Sequence, residues 1–574
     1  MQNVKAFFKD WRSIVLIAVF AGVAGWIFSR LSMVNPAILG DEYLYSINAR
    51  HAAPWDPSPA GDFSNYLFNL AYSSTNLCGD AFYTCGKILN LIFFIGFLIV
   101  IFIVAVRFLN YWVALAFTVA AGLSPISVYT SMFLPESMYF FMLSLVFLAV
   151  LKAAESYAWK DWGLVGILIG VASLVKPHAW LSAIAIGIFL VVLGLTTTRH
   201  RFNPLFKAVG AISLGAILGR IVIGFAVAGP RALDFFGSYV TADTISQVTS
   251  GTAGDAGGEG QASAVGTSPM NGLISLFGTQ LNVHVLTVVA LMSIAIIGLI
   301  VGIVELVKTR KLSAVTSLSL FMFIWLVSMV IEIVMFTGWI TGGGDDHTDR
   351  ILSRYYDFLY VFVPLAGLVA LSAKLESKTS VYVRLPLAGI FLVLLTPAFT
   401  GFFGGLEIQI ADAPNLAGLV VNADVFNAVA MIGFVSLLVF SFIPRFTPWV
   451  FALMLPVSMV ATGYVAQDQY RNFRGELNSQ DRAGQFLNAT LSANDVAATW
   501  VVGTSRFQAT NVAIWADSAL LKYDLYGPES VLETSAAPAG TLFILATGGV
   551  SVIGDFERVI KGDGYTLYEL DSRS

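Results

Sequence analysis

Long apolar runs separated by short polar breaks dominate the chain from its start to residue 466. Runs of roughly 18–25 apolar residues are long enough to cross a membrane as helices. They fall near 13–33, 88–106, 111–128, 133–151, 162–176, 179–196, 208–229, 284–305, 314–340, 355–373, 385–404, 424–443 and 447–466, which predicts about thirteen spans. Beyond 466 the pattern changes. "NSQDRAGQFLNATL" reads as a helix, "AATWVVG" and "GTLFILAT" as buried strands, and "FERVIKGDGYTLYEL" as a helix, a turn and a last strand. The expected fold is an all-α polytopic membrane protein, residues 1–466, followed by a small C-terminal α/β domain, residues 467–574.

Two connections are long, 34–87 and 230–283. The second contains "SQVTSGTAGDAGGEGQASAVGTSPMNG", which has too few bulky residues to form a packed core. It reads as a mobile linker or as a lid over an active site. The basic start and apolar run of "MQNVKAFFKDWRSIVLIAVFAGVAGWIF" exceed the roughly 7–15 residues of a signal-peptide core, so this segment is expected to stay as the first span.

Lysine and arginine set the orientation. With the N-terminus in the cytoplasm, "MQNVKAFFKDWR", "VRFLNYW", "LKAAESYAWKDW", "TTTRHRFNPLFK", "VKTRKLS", "AKLESKTSVYVR" and "IPRF" are cytoplasmic, and each carries positive charge. The other side receives 34–87, 129–132, 177–178, 230–283, 341–354, 405–423 and everything after 466. An odd number of spans puts the C-terminus outside. At 57% hydrophobic and 12% charged residues, an ordinary soluble domain is excluded. The net charge of −4 gives no footing for nucleic acid as a partner. The lipid bilayer is the obligatory one. Cys78 and Cys85, the whole thiol inventory, share the first external loop. An oxidising compartment would permit a disulfide there, contributing about 2–3 kcal/mol, with two free thiols as the alternative.

Candidate chemistry emerges when charges are sorted by side. The outer side should be poor in cations near the membrane, yet Arg50, His51, Lys176, His178, Arg231, Arg350 and Arg354 all fall there. Cations held against the orientation rule suggest an anionic ligand, and a phosphate at headgroup depth is the natural one. The same side carries Asp41 and Glu42 after the first span, Glu136 in "MFLPESMYFF", and Asp345, Asp346, His347 and Asp349 in "TGGGDDHTDRILSRYYDF". A carboxylate there can act as general base toward an acceptor hydroxyl. An adjacent Glu42 would discourage double ionisation. Cations around a phosphate would stabilise charge developing on a phosphate leaving group.

Structural readings stand beside these. Asp41 suits the N-cap of a short interfacial helix. Glu136 suits the first turn of a helix, where the dipole favours acids. His178 reads equally as a satisfied interfacial histidine. Asp345, Asp346, His347 and Asp349 offer oxygen and imidazole ligands for a divalent metal, the one cofactor candidate, or form a solvated acidic loop. Arg220 and Glu332 fall inside predicted spans, where charges pair or line a cavity.

The acidic pair after the first helix, the "PE" before the fourth, the "KP" turn after the fifth and the Arg354-Tyr355 pair in a late loop resemble the GT-C superfamily of membrane glycosyltransferases. The likeness is to the branch using polyprenyl-phosphate sugars, among them lipid A aminoarabinose transferases and protein O-mannosyltransferases. The resemblance implies a bacterial cytoplasmic-membrane enzyme that moves one sugar, with inversion, onto a cell-envelope glycan, lipid or protein. It implies Asp41, extended by Glu42, as catalytic residues and Lys176, Arg350 and Arg354 as donor-phosphate contacts. Glu136, His178, Tyr355, His347 and Arg231 would contact substrate. The alternatives are a polymerase or ligase acting on diphosphate-linked glycans, and a secondary transporter or flippase.

Overall fold

The apolar runs fold into helices whose starts are set by local capping. Asn110 accepts hydrogen bonds from the backbone N–H groups of Trp112 and Val113, and Asn422 does the same for Asp424 and Val425. The computed structural model describes residues 11–37, 39–51, 64–156, 158–197, 202–235, 269–340, 351–373, 380–406, 408–519 and 521–570. The membrane part begins with α1 (Trp11–Leu31), α2 (Leu39–Arg50), α3 (Tyr66–Tyr72), α4 (Phe82–Phe108), α5 (Tyr111–Leu123), α6 (Glu136–Ser156), α7 (Trp159–Ala172) and α8 (Ala179–Thr197). It continues with α9 (Phe202–Ala228), α10 (Pro269–Thr309), α11 (Ala314–Ile340), α12 (Leu359–Ser372), α13 (Val381–Phe399), α14 (Pro414–Val420), α15 (Ala423–Phe442) and α16 (Thr447–Arg474).

Nine helices among the described residues are long and apolar enough to cross a membrane, or ten if α5 and the following 3-10 turn Pro125–Ser131, bent by 55°, make one span. The chain is a multi-pass membrane protein, and of the thirteen expected spans nine or ten reach full spanning length among the described residues. Helices α7 and α12 have 14 residues each, about 21 Å at 1.5 Å per residue, short of a 30 Å hydrocarbon core. The polar break at Lys176-Pro177 shortens α7 and α8, and the polar cluster at 353–357 delays the start of α12. Helix α10 starts at Pro269, not near 284, so the expected loop 230–283 is shorter than the hydropathy suggests. The linker or lid reading falls on 236–268, outside the described residues.

Helices α7 and α9 meet through glycine. A Cβ on Gly166 would lie 2.1 Å from the Ile212 carbonyl oxygen, and one on Gly170 2.2 Å from that of Ala216. Small residues let helix backbones approach this closely in lipid. The centre of the bundle is aromatic. Phe147 and Phe362 ring centroids are 4.6 Å apart, and fully buried Trp325 stacks on both Phe321 and Phe362. Outward, Ile99, Ile188, Leu214, Val222, Leu438 and Leu453 are exposed, the surface a lipid-embedded bundle presents. At the end opposite the C-terminal domain, exposed Trp11, Trp112, Trp159 and Trp449 form an interfacial belt.

Helix α16 runs on to Arg474, and the remaining elements of the C-terminal part follow it. It contains α17 (Ser479–Thr490), α18 (Ala493–Ala497), β1 (Thr499–Gly503), α19 (Arg506–Ala516), β2 (Lys522–Leu525), β3 (Val531–Glu533), β4 (Phe543–Thr547), β5 (Ser551–Ile553), β6 (Phe556–Gly562) and β7 (Tyr565–Leu570). Five strands form one sheet in the order β2-β1-β4-β7-β6, with β1 parallel to β2 and β4 and β7 antiparallel to β4 and β6. Strands β1 and β4 are buried along their whole length. "FERVIKG" is strand β6, not the expected helix. Gly562 pairs with Tyr565 across the two residues Asp563-Gly564, and Gly564 has φ +78°, the hairpin turn that Asp-Gly favours.

Candidate active site

Helix α2 carries the acidic pair in its first turn, where the dipole stabilises negative charge. The two carboxylates then part company. Glu42 is buried; its Oε1 accepts from the Tyr83 hydroxyl and the Phe133 backbone N–H, each at 2.7 Å, and its Oε2 from the Ala37 N–H at 2.6 Å. The incoming segment is tied down as well. Lys87 Nζ donates to the Ser32 and Val34 carbonyls, and the Asn35 N–H donates to the Arg474 carbonyl. Asp41 is thereby held on a fixed turn with its side chain 36% exposed.

Across from it stands Arg354, whose Nη2 lies 2.7 Å from Asp41 Oδ2. The turn bearing Arg354 is anchored from below by Asp357, fully buried, which accepts from Tyr129 (2.7 Å), Ser353 (2.8 Å) and Asn415 (3.1 Å). Burial pushes the Asp357 carboxyl up to about 7, against the pull of those three donors. The Arg354 N–H donates to the carbonyl of Asp412, whose carboxylate is 3.7 Å from Nε. Burial works against the Arg354 charge, but Tyr355, Asp41 and Asp412 more than offset it, so the guanidinium is held above its ordinary value. Arg354 Nε and Nη1 have no hydrogen-bond partner among the described residues. Those donors stay available to an anion.

The "KP" turn between α7 and α8 supplies the second cation. Lys176 Nζ donates to Glu136 Oε1 at 2.7 Å, both side chains being 2% exposed. The Tyr355 ring joins the halves of the site. Lys176 Nζ lies 4.5 Å and Arg354 Cζ 5.2 Å from its centroid, and the His178 ring stacks on it at 4.4 Å. Burial lowers the Lys176 ammonium, with Glu136 opposing. His178 is pushed well below its ordinary value, first by burial and then by the charges of Lys176 and Arg354, so its imidazole is neutral. One chain of contacts thus runs Asp41, Arg354, Tyr355, Lys176, Glu136.

Other expected residues are placed elsewhere. Arg50 and His51, grouped in sequence with the anion-holding cations, both grip Asp517 of the C-terminal domain, with His51 Nε2 2.8 Å away. Arg231 stacks on Tyr66 at 5.2 Å, on a turn linked through Asn65 and Leu67 to the backbone of Leu174 and Val175, just before Lys176. Arg220 does not pair with Glu332; it donates to the carbonyls of Ser173, Ala232 and Asp234. Asp345, Asp346, His347, Asp349 and Arg350 lie outside the described residues. Among the described residues no cluster of three metal-binding side chains occurs. Cys78 and Cys85 are joined as a disulfide, with Cα atoms 6.6 Å apart. Sequence reasoning missed Asp357 and Asp412. Asp357 follows the quoted Arg-Tyr pair by two residues, while Asp412 in "ADAP" carries no sequence signal.

A family model described as dolichyl-phosphate-mannose-protein mannosyltransferase matches residues 72–221, roughly a quarter of the chain. That segment contains Glu136, Lys176 and His178 but neither Asp41 nor Arg354. No curated protein matches significantly in sequence. Among solved structures, the oligosaccharyltransferase AglB from Archaeoglobus fulgidus, in complex with an inhibitory peptide and a dolichol-phosphate, is similar at 12% identity. The match covers 94% of this chain and 70% of that one, with a TM-score of 0.44. ArnT from Cupriavidus metallidurans in the apo state is similar at 12% identity over 97% of both chains, TM-score 0.43. The Archaeoglobus fulgidus oligosaccharyltransferase tethered to an acceptor peptide is similar at 11% identity, covering 94% of this chain and 70% of that one, TM-score 0.41.

Proposed function

We propose that this chain is an inverting membrane glycosyltransferase that moves one sugar from a polyprenyl-phosphate donor to an acceptor on the cell envelope's outer side. The observation that carries the reading is the contact between half-open Asp41 and Arg354, with the buried Lys176–Glu136 pair reached across Tyr355. A proton acceptor and two phosphate-type cations face one place. The match of residues 72–221 to the mannosyltransferase model supports the same reading.

In this mechanism the acceptor oxygen attacks the anomeric carbon from the face opposite the phosphate. Its proton passes to Asp41, the most exposed carboxylate of the site. The bond between the anomeric carbon and the phosphate oxygen breaks, and the electron pair leaves with polyprenyl phosphate. Arg354, through Nε and Nη1, and Lys176 stabilise the growing phosphate charge. A single displacement inverts the anomeric centre. Glu42 acts as a positioning residue, because its oxygens are engaged with Ala37, Tyr83 and Phe133. Tyr355 and neutral His178 floor the site, Glu136 keeps Lys176 in place, and Arg231 borders it. Arg350 and His347 are assigned to the donor from sequence alone. A divalent metal is not required by these steps. The acceptor is a cell-envelope glycan, lipid or protein, and the enzyme belongs to a bacterial cytoplasmic membrane.

The test is transfer by the purified chain in nanodiscs, using polyprenyl monophosphate sugars and polyprenyl diphosphate glycans in parallel. Transfer from the monophosphate donors, abolished by Arg354→Ala, is expected. Activity confined to diphosphate donors would replace this reading by the polymerase or ligase alternative, and flux without transfer by the transporter.

A further inference from the structure

We propose that Glu332 and Tyr139 form the subsite that holds the hydroxyl groups of the donor's sugar ring, beside the phosphate clamp; this rests on the transferase reading. A carboxylate inside a membrane helix is costly unless something meets it. Both Glu332 oxygens are shielded from solvent, and neither has a hydrogen-bond partner among the described residues. Arg220, the other charge in mid-span, is occupied by three backbone carbonyls.

The surroundings show the same incompleteness. Tyr139 is completely buried and its hydroxyl is without a partner among the described residues, as is Glu136 Oε2. Tyr139 sits one helical turn beyond Glu136 on α6, with Lys176 Nζ 5.7 Å from its ring centroid. Trp325 of α11 meets Phe147 of α6 with ring centroids 6.5 Å apart, and the two helices run in opposite directions, so Glu332 comes level with the Tyr139 end of α6, beside the clamp. Helix α11, which carries Glu332, packs on both α6 and the Ser353–Tyr355 turn.

Two carboxyl groups and a phenol with unused hydrogen-bonding capacity bring no cation to a phosphate and are a poor match for one. They match a ligand that presents several O–H donors close together and accepts one hydrogen bond in return. A sugar ring with neighbouring hydroxyls is such a ligand. Buried groups left unpaired by an analogue lacking those hydroxyls make such a site discriminating.

The experiment uses the full chain in nanodiscs and measures binding of bare undecaprenyl phosphate and of undecaprenyl phosphate carrying glucose, mannose, galactose or arabinose. At least one sugar-bearing lipid is expected to bind the parent ten or more times more tightly than the bare lipid. Glu332→Gln and Tyr139→Phe should shrink that margin to threefold or less, leaving the bare-lipid affinity unchanged. Removing an unpaired buried carboxylate is not expected to lower the melting temperature, so Glu332→Gln should fold. A margin that survives in both variants, or an equal loss of bare-lipid binding, overturns the subsite. A parent that binds neither form overturns the transferase reading and the subsite with it.

Discussion

Adjacent residues of one kind can end in opposite roles, and Asp41 and Glu42 show what decides. Successive positions on a helix point about 100° apart, so one carboxylate reaches Arg354 at the open rim while the other turns into the protein. Asp41→Asn keeps size and hydrogen-bonding capacity but removes the proposed base. Steady-state transfer should fall by roughly 10²–10⁴-fold, with the melting temperature unchanged. Glu42→Gln should instead lower stability by about 1–3 kcal/mol, because one of its buried donors loses a charged acceptor. The acidic pair was legible in the sequence, but the division of labour was not. Glu42's partners Tyr83 and Phe133 are 41 and 91 residues away, and no local pattern announces them. Asp357 makes a pH-dependent claim at the same scale. Its carboxyl is raised to about 7 in the folded chain, whereas an unfolded one releases its proton near 3.8. The folded state therefore holds the extra proton between those values. This group's contribution to stability is intact below about pH 4, falls as pH rises to about 7, and levels off above. Melting at pH 5 and pH 8 should show a larger drop in the parent than in Asp357→Asn; equal drops would remove Asp357 from that role.

Helix α2 is the element on which the site depends most, and it serves two masters. Its first turn presents Asp41, while Tyr43 donates to the Ser518 carbonyl at 3.0 Å and Arg50 and His51 clasp Asp517. Residues 43, 50 and 51 share one helical face, so the C-terminal domain holds the helix that carries Asp41 along its length. Asp517 closes α19 in the left-handed region, φ 53°, which Asn also tolerates. Asp517→Asn should cost about 1–3 kcal/mol of stability through the weakened charged contacts. It should also slow transfer on the order of tenfold by loosening Asp41, while bare lipid-phosphate binding stays unchanged. Full activity in that variant would show that the domain does not position the site. Element identities were more legible than lengths. All the apolar runs became helices, since hydrophobic continuity is local, but Lys176-Pro177 and the buried cluster around Asp357 leave α7 and α12 only 14 residues long. "FERVIKG" lacks the strict alternation of a half-buried strand, and the informative signal was the Asp563-Gly564 turn that follows it.

At the scale of the whole molecule the two ends of the bundle differ in a way that bears on the proposed orientation. One end carries the tryptophan belt with Arg12, Arg107, Lys160, Lys311 and Arg445; the other carries the site, the C-terminal domain and the disulfide. The cysteines flank Phe82, whose ring lies 6.3 Å from Trp515 of the C-terminal domain, so disulfide and domain share a side. By the positive-inside rule the first end is the expected cytoplasmic one, and a lasting disulfide at the second needs an oxidising compartment. These arguments are independent: one concerns insertion and the other redox chemistry. Both support the proposal that Asp41 and Arg354 face the outer side. Glu529 is exposed on the domain and Lys311 is exposed at the opposite end, so each can report its side through an engineered cysteine. In intact cells a membrane-impermeant maleimide should label Glu529→Cys at once and Lys311→Cys only after permeabilisation. The native pair should resist alkylation until reduced. Labelling in the reverse order would face the Asp41–Arg354 site toward the cytoplasm, where a reducing environment would open the disulfide, and an outward-acting sugar transferase could not be built on this chain.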